Sequence, residues 1–234
     1  MQRKNSTYPL LPVLATIALL AYEILVSHGR TYYYTGLGII LAGFVGFFLH
    51  FESGRPNAIL LTMIASLCAL GIVSRIAFFF LPQVKPVAAI VILAGIAFGC
   101  EVGFVTGAVS AFVSNFYFGQ GAWTPFQMFA LGMIGALAGV LFRGRKCPAW
   151  QVACYGFVST LLIYGGIVDI NTVFFTTQEW EPSVIIGVYA TALPFDLIFA
   201  ASTAIFLWIL KKPLLKRIER VQNKYCLIDK EGEK

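Results

Sequence analysis

A cluster of amide, hydroxyl and aromatic side chains lies near the middle of the chain, around a turn that contains two glycines. A few hydrogen-bond donors and acceptors beside aromatic rings are what a pocket for a ring-containing organic solute requires. Aromatic residues also serve as anchors at membrane interfaces. The segment therefore predicts either a ligand pocket or an interfacial turn. Its members are Asn115, Tyr117, Gln120, Trp123, Thr124 and Gln127.

Three charged residues, Glu23, Arg75 and Asp196, stand in stretches that are otherwise almost entirely apolar. A charge inside a membrane is costly, so each needs a partner, a water-filled cavity or a function. A structural pair, such as Arg75 with Asp196, is one interpretation, and a side chain that reaches the membrane surface is another. The functional alternative is a solute-binding or proton-handling group.

The composition indicates that a membrane must surround these residues. Of the 234 residues, 59% are hydrophobic and 12% are charged, the latter about half the ~25% expected of a soluble domain. A soluble globule is excluded. The net charge of +6 does not require a nucleic-acid partner, because the basic residues lie in short loops and one tail, where membrane topology places them.

Cutting the chain at charges, prolines and polar turns predicts an all-α, polytopic membrane helix bundle. Both termini then lie on one face, together with fourteen of the seventeen lysines and arginines. Because loops rich in these residues stay inside, we expect a multi-pass protein of a prokaryotic cell membrane with cytoplasmic termini. The eight predicted spans are Pro9–Ser27, Tyr34–Leu49, Ala58–Phe80, Pro86–Gly99, Val102–Phe118, Pro125–Phe142, Trp150–Val168 and Ser183–Leu210.

Small residues recur at helical spacing in two places. The first stripe is formed by Gly95, Gly99, Gly103 and Gly107, and the second lies on the third predicted span. Such stripes let helices approach closely in lipid, so both predict internal packing on sequence grounds alone. The second stripe consists of Thr62, Ala65, Ser66 and Ala69.

Signatures of common enzymes are absent from the sequence. It contains no phosphate-binding loop of the G-x-x-x-x-G-K-[ST] type, no H-E-x-x-H and no G-x-S-x-G. We therefore expect a protein that is not an enzyme, with no catalytic residues, no cofactor and no bound metal.

Residues 56–212 resemble the substrate-binding S components of energy-coupling factor (ECF) transporters, which are vitamin-uptake proteins. The most specific part is SNFYFGQGAWTPFQMFALGMIGALAG, which begins at Ser114, and AILLTMIASLCALGIVSRIAFFFL and PFDLIFAASTAIFLWILKKPLLKRIERVQNKY add to it. The resemblance implies a six-helix core over residues 56–212. Residues 1–55 would then be a two-span appendage that most S components lack, and residues 213–234 a basic cytoplasmic tail.

The resemblance also implies partners and a mode of action. An S component captures its vitamin on the outer face, joins a transmembrane coupling subunit and two cytosolic ATPases, and topples in the membrane to release its cargo. The Ala65-x-x-x-Ala69 pair matches the family feature that packs against the coupling subunit, with Thr62 and Ser66 beside it. ATP hydrolysis would belong to the partner subunits.

In that family the ligand lies under three loops, which correspond here to residues 81–86, 119–124 and 169–182. These loops are outside in the topology derived from charge. The aromatic richness favours a cobalamin-like corrinoid over riboflavin, folate or queuosine precursors. The expected substrate-binding residues are Gln83, Asn115, Tyr117, Gln120, Trp123, Thr124, Gln127, Asp169, Asn171 and Asp196.

Two other functions compete with this one. A stand-alone, ion-coupled secondary transporter would use Glu23, Arg75 and Asp196 as its proton or ion relay. A structural membrane protein would bind no solute at all.

Overall fold

The chain was described from a computed structural model, which covers residues 32–53, 57–176 and 181–225. Regular secondary structure in these ranges is entirely helical, which confirms the predicted all-α class. A π-helical turn, Thr160–Gly165, joins the helices Ala149–Ser159 and Gly166–Thr176 in one continuous rod. The helices are α1 Tyr32–Ser53, α2 Ala58–Ala77, α3 Val87–Phe98, α4 Cys100–Phe118, α5 Thr124–Phe142, α6 Ala149–Ser159, α7 Gly166–Thr176 and α8 Pro182–Lys224.

Four helical segments of the described part are long and apolar enough to cross a membrane: Ala58–Ala77, Thr124–Phe142, Ala149–Phe175 and Pro182–Lys224. Their outer surfaces carry large exposed apolar side chains, as lipid contact requires, since helices satisfy their own backbone hydrogen bonds in the bilayer. The chain is therefore a helical membrane protein. The first predicted span, Pro9–Ser27 with Glu23, lies outside the described residues.

The short helix α3 occupies the centre of the bundle. It contacts α2, α4, α5 and α8, and every residue from Val87 to Gly95 is buried. A helix that is apolar on all sides is stable only when neighbours surround it. Gly99, at φ 107°, ends α3 so that α4 begins at once. The break therefore falls at the predicted boundary between the spans Pro86–Gly99 and Val102–Phe118.

Glycine contacts hold α3, α4 and α5 at close range. A Cβ atom added to Gly95 would lie 2.0 Å from the carbonyl oxygen of Gly135, and one added to Gly103 would lie 2.4 Å from that oxygen. No side chain can occupy these positions without moving the backbone. The glycine stripe therefore serves internal packing, as the sequence predicts.

The last helix is longer than the predicted span Ser183–Leu210. Helix α8 has 43 residues and contains Pro194 and Pro213. Beyond residue 210, Ile218 and Gln222 remain buried, and the Gln222 side chain donates to the carbonyl oxygen of Ala97 at 3.1 Å. Residues 213–224 therefore continue the helix and pack under the end of α3.

Candidate functional site

A cavity of about 240 Å³ lies among α2, α3, α5, α7 and α8. It is lined by Arg75 in the last turn of α2, by Val87 at the start of α3 and by Gln127 in the first turns of α5. These positions place it at the end of the bundle that carries the loops 78–86 and 119–123. The charge pattern of the sequence predicts that this end is extracellular.

Arg75 is the most deeply buried cation of the cavity wall, with 6% of its surface exposed. Its Nη1 donates to the Ser114 hydroxyl at 2.5 Å and to Asn115 Oδ1 at 3.3 Å. The guanidinium carbon also lies 4.9 Å from the centre of the Phe118 ring. Within the described ranges no acidic side chain pairs with Arg75, so an ion pair with Asp196 is not formed. A buried charge without a counter-charge is costly.

Asn115 connects Arg75 to the polar turn that the sequence singles out. Its Nδ2 donates to Gln127 Oε1 at 2.9 Å and to the Thr124 hydroxyl at 3.2 Å. The Thr124 hydroxyl donates in turn to Gln120 Oε1 at 3.0 Å. Asn115 is 1% exposed and lies behind the cavity wall. It therefore holds Arg75 and Gln127 in place from behind.

The loop between α2 and α3 supplies a second cation, Lys85, and an amide, Gln83, to the cavity. Burial, and then the charge of Arg75, lower the pKa of the Lys85 ammonium. The loop is fixed because the Lys85 amide donates to the Ser202 hydroxyl at 3.1 Å. Gln83 has φ 57°, a left-handed conformation that non-glycine residues adopt rarely and that clusters at functional sites.

Two carboxyl groups, from Asp169 on α7 and Asp196 on α8, line another part of the cavity. Asp169 is buried, with 7% of its surface exposed, and Asp196 is half-buried. The π-helical turn brings the two helices close at this point, because a Cβ atom added to Gly165 would lie 2.8 Å from Asp196 Oδ2. Carboxylates that share a buried cavity are costly to keep ionised together unless a proton or another cation compensates them.

Aromatic rings form much of the remaining wall. Tyr164 and Phe199 meet edge to face, with centroids 5.0 Å apart and planes at 70°, and Phe195 lies beside them. Sequence reasoning missed these rings and Lys85. The signal available was helical spacing, because Ala192, Phe195, Asp196 and Phe199 fall on one face of a helix.

Some of the expected binding residues lie elsewhere. Tyr117 is 60% exposed and Trp123 is 44% exposed, and neither lines the cavity. The Trp123 ring lies against Gly121. Gln120 is exposed and donates to the Phe112 carbonyl oxygen at 2.9 Å. Asn171 is 4% exposed, outside the cavity lining, and its Oδ1 has no partner among the residues described.

The small-residue face of α2 points away from the described bundle. Its four residues, Thr62, Ala65, Ser66 and Ala69, are all exposed. The Thr62 and Ser66 hydroxyls donate to carbonyl oxygens of their own helix, at 2.9 and 2.8 Å. The internal packing that the sequence alone predicts is therefore not formed with residues 32–53, 57–176 or 181–225. The face is therefore an exposed surface of small side chains whose hydroxyl groups are hydrogen-bonded within their own helix.

Comparison with protein-family models, curated proteins and solved structures finds no match for this chain. In the part of the chain that the structure describes, no group of three His, Cys, Asp or Glu side chains could hold a metal ion. The function is therefore inferred from the chemistry of the cavity and its surroundings.

Proposed function

We propose that this protein is the substrate-capture subunit, or S component, of an ECF-type importer. It binds a vitamin or related micronutrient in the cavity from the extracellular side. A transmembrane coupling subunit and two cytosolic ATPases then drive delivery to the cytoplasm. The supporting observation is Arg75, a buried cation that lines a cavity and has no carboxylate partner among the described residues. An anionic group on a ligand would compensate this charge.

The position of the cavity supports this proposal. Gln83 and Lys85 belong to the first of the three loops under which S components hold their ligands. Asp169 stands where the sequence predicts the third loop to begin, but helix α7 continues to Thr176, so the predicted loop 169–182 is wrong over residues 169–176. Gln127 lies just after the second. These three contributions come from separate parts of the sequence. Their convergence on one cavity is what a capture site at one end of a membrane bundle needs.

The volume of the cavity constrains the ligand. Pockets for organic ligands span about 300–1,000 Å³, and this one measures about 240 Å³. We therefore propose a ligand much smaller than the corrinoid that the aromatic richness favours.

The exposed face of α2 supports the partner assignment. Small side chains let a second helix approach closely, and close packing is what drives helix association in lipid. Because Thr62 and Ser66 bond within their own helix, docking would leave no hydroxyl unsatisfied. We propose this face as the contact with the coupling subunit.

The partner assignment is tested by purifying the tagged, full-length chain from its native membranes and identifying the bound proteins. We expect a transmembrane coupling subunit and two ATPases to accompany the parent protein. Replacing Ala65 and Ala69 with leucine should abolish their recovery, because bulky side chains block close approach. The control, Ala201→Leu, adds the same side chain at another exposed position of the bundle. Recovery of the ATPases with the double variant, or their absence from the parent, would refute the assignment.

A second candidate is an ion-coupled secondary transporter. The two carboxyl groups of the cavity favour it, because Asp169 and Asp196 could carry and release a proton. Of the proposed relay, Arg75 and Asp196 line the cavity, and Glu23 lies outside the described residues. Proteoliposomes that contain only this chain separate the two functions. Uptake of the co-purifying solute driven by a pH gradient would favour the secondary transporter, and uptake only with ATPase partners would favour the S component.

A further inference from the structure

The charges of the cavity are separated by sign. Its cations, Arg75 and Lys85, come from the end of α2 and the loop that follows. Its carboxyl groups, Asp169 and Asp196, come from α7 and α8. Tyr164, from the π-helical turn, lines the same cavity as these four groups.

Neither group of charges is neutralised by the other. Arg75 makes its two hydrogen bonds to neutral acceptors on α4, both from Nη1. Its Nε and Nη2 have no acceptor within the described portion of the chain, and Lys85 lies over the Phe118 ring with Nζ 5.5 Å from its centre. Asp169 and Asp196 line the same cavity and form no ion pair with a basic side chain of the described ranges. The cavity therefore has donors from α2 and the following loop that need an anion, and acceptors from α7 and α8 that need a cation.

We propose that the ligand is a small zwitterion built on a single ring, with its anionic group at Arg75 and Lys85 and its cationic group at Asp169 and Asp196. This inference rests on the proposed capture function and specifies its substrate class. The ring would lie against Tyr164 and Phe199, whose edges and faces suit a flat apolar body. The cavity volume accommodates one ring with two short substituents, and the amides of Gln83 and Gln127 complete the polar lining.

Ligands with a single charge satisfy only half of this arrangement. A simple anion would neutralise the cations and leave the carboxyl pair without a counter-charge. A simple cation would leave Arg75 buried without one. Because a buried charge is stabilised only by a partner in good geometry, the zwitterion gains an interaction at each end.

Three matched probes test the inference on the purified full-length protein in detergent. They are para-(aminomethyl)benzoate, which is a zwitterion, para-methylbenzoate, which keeps only the anion, and para-methylbenzylamine, which keeps only the cation. Calorimetry and thermal unfolding measure binding of each. We expect the zwitterion to bind about tenfold or more tightly than either single-charge compound, because each additional charge-assisted pair contributes that much.

Two conservative variants test which residues bind the anionic group of the zwitterion and which bind its cationic group. In Arg75→Gln the zwitterion should bind no better than the benzylamine, and in Asp169→Asn no better than the benzoate. Each variant is compared with the parent for its melting temperature without ligand. If both variants still melt cooperatively and each loses the affinity for the zwitterion that its substitution predicts, the proposed orientation of the ligand is supported. Unfolded variants do not affect the test, because the ranking of the three probes on the parent protein decides it.

The inference is overturned if the zwitterion binds the parent no more tightly than the anion or the cation. Its failure can be told apart from failure of the capture function. If mass spectrometry finds a co-purifying solute with charge of one sign only, the zwitterion is wrong and capture stands. If the parent carries no solute and shows no preference among the probes, both fail.

Discussion

At the scale of single residues, Asn115 determines how the cavity wall is held. Its side chain accepts from Arg75 and donates to Thr124 and Gln127 while remaining 1% exposed. Truncation to alanine would remove these bonds and leave the partners unsatisfied. Loss of one partner of a buried polar pair costs about 1–3 kcal/mol. We therefore expect Asn115 to contribute to stability and, without contact with the ligand, to the proposed binding.

We predict that Asn115→Ala lowers the free energy of unfolding by about 1–3 kcal/mol and weakens solute binding, because Arg75 and Gln127 lose their support. Denaturation in detergent and calorimetry measure the two effects. Gln120→Ala is the control, since Gln120 belongs to the same chain of hydrogen bonds but is exposed. Equal effects of the two substitutions would contradict the role given to Asn115.

Lys85 should oppose stability and favour binding. Burial and the charge of Arg75 lower its pKa, so the folded protein is destabilised while Lys85 is protonated. We predict that Lys85→Gln raises the melting temperature of the ligand-free protein at pH 7 and weakens binding of an anionic group.

The pH dependence of the difference in stability between Lys85→Gln and the parent provides a check. Between the lowered pKa of Lys85 in the folded protein and its ordinary pKa in the unfolded chain, the unfolded state binds more protons. The stability of the parent therefore rises with pH across this window. The advantage of Lys85→Gln should shrink as the pH rises. An advantage that grows with pH, or a lower melting temperature at pH 7, would contradict the account.

Individual residues also show which parts of the site can be predicted from the sequence. The sequence predicts Asn115, Thr124 and Gln127 together because they lie on one turn, and the structure joins them by hydrogen bonds. It also places Trp123 beside them, yet that ring lies against Gly121 outside the cavity. Tyr164 was unpredictable from its neighbours, because its place depends on the contact between two distant helices.

At the scale of elements, backbone contact between α4 and α5 fixes the centre of the bundle. A Cβ atom added to Gly135 would lie 2.6 Å from the carbonyl oxygen of Gly103. We predict that Gly135→Ala destabilises the protein by about 1–3 kcal/mol or more, because overpacking forces the helices apart. Thermal unfolding in detergent measures the loss.

Gly187→Ala is the matched control for this prediction. A Cβ atom added to Gly187 would meet nothing within 4 Å. Alanine is favoured over glycine in a helix by about 0.5–1 kcal/mol, so this variant should be unchanged or more stable. Comparable destabilisation by both substitutions would show that α4 and α5 do not meet as described.

Two features of the helices depend on tertiary structure and were not predictable from local pattern. The π-helical turn Thr160–Gly165 interrupts the predicted span Trp150–Val168, which contains no charged residue and no proline. Helix α8 continues past Leu210 through a segment rich in lysine and arginine, because Ile218 and Gln222 pack against the bundle. Apolar periodicity predicts where helices exist better than where they end.

At the scale of the whole molecule, solute capture requires that the cavity face the extracellular side. We predict that a cysteine at Gly121 is labelled by an impermeant reagent in intact cells. One at Gly144, on the predicted cytoplasmic side, should be labelled only after permeabilisation, because basic loops stay inside. Both variants are made after the five native cysteines are replaced. The reverse pattern would place the cavity on the cytoplasmic face.

Capture of a small solute in the cavity is the central claim, and mass spectrometry of small molecules released from the purified full-length protein tests it most directly. The parent and Trp150→Ala, whose ring is 54% exposed and outside the cavity, should release the same solute. Arg75→Gln should release far less of it, because the buried cation would be gone. A parent that releases nothing beyond the detergent blank, or an Arg75→Gln variant that retains the solute in full, would contradict the claim.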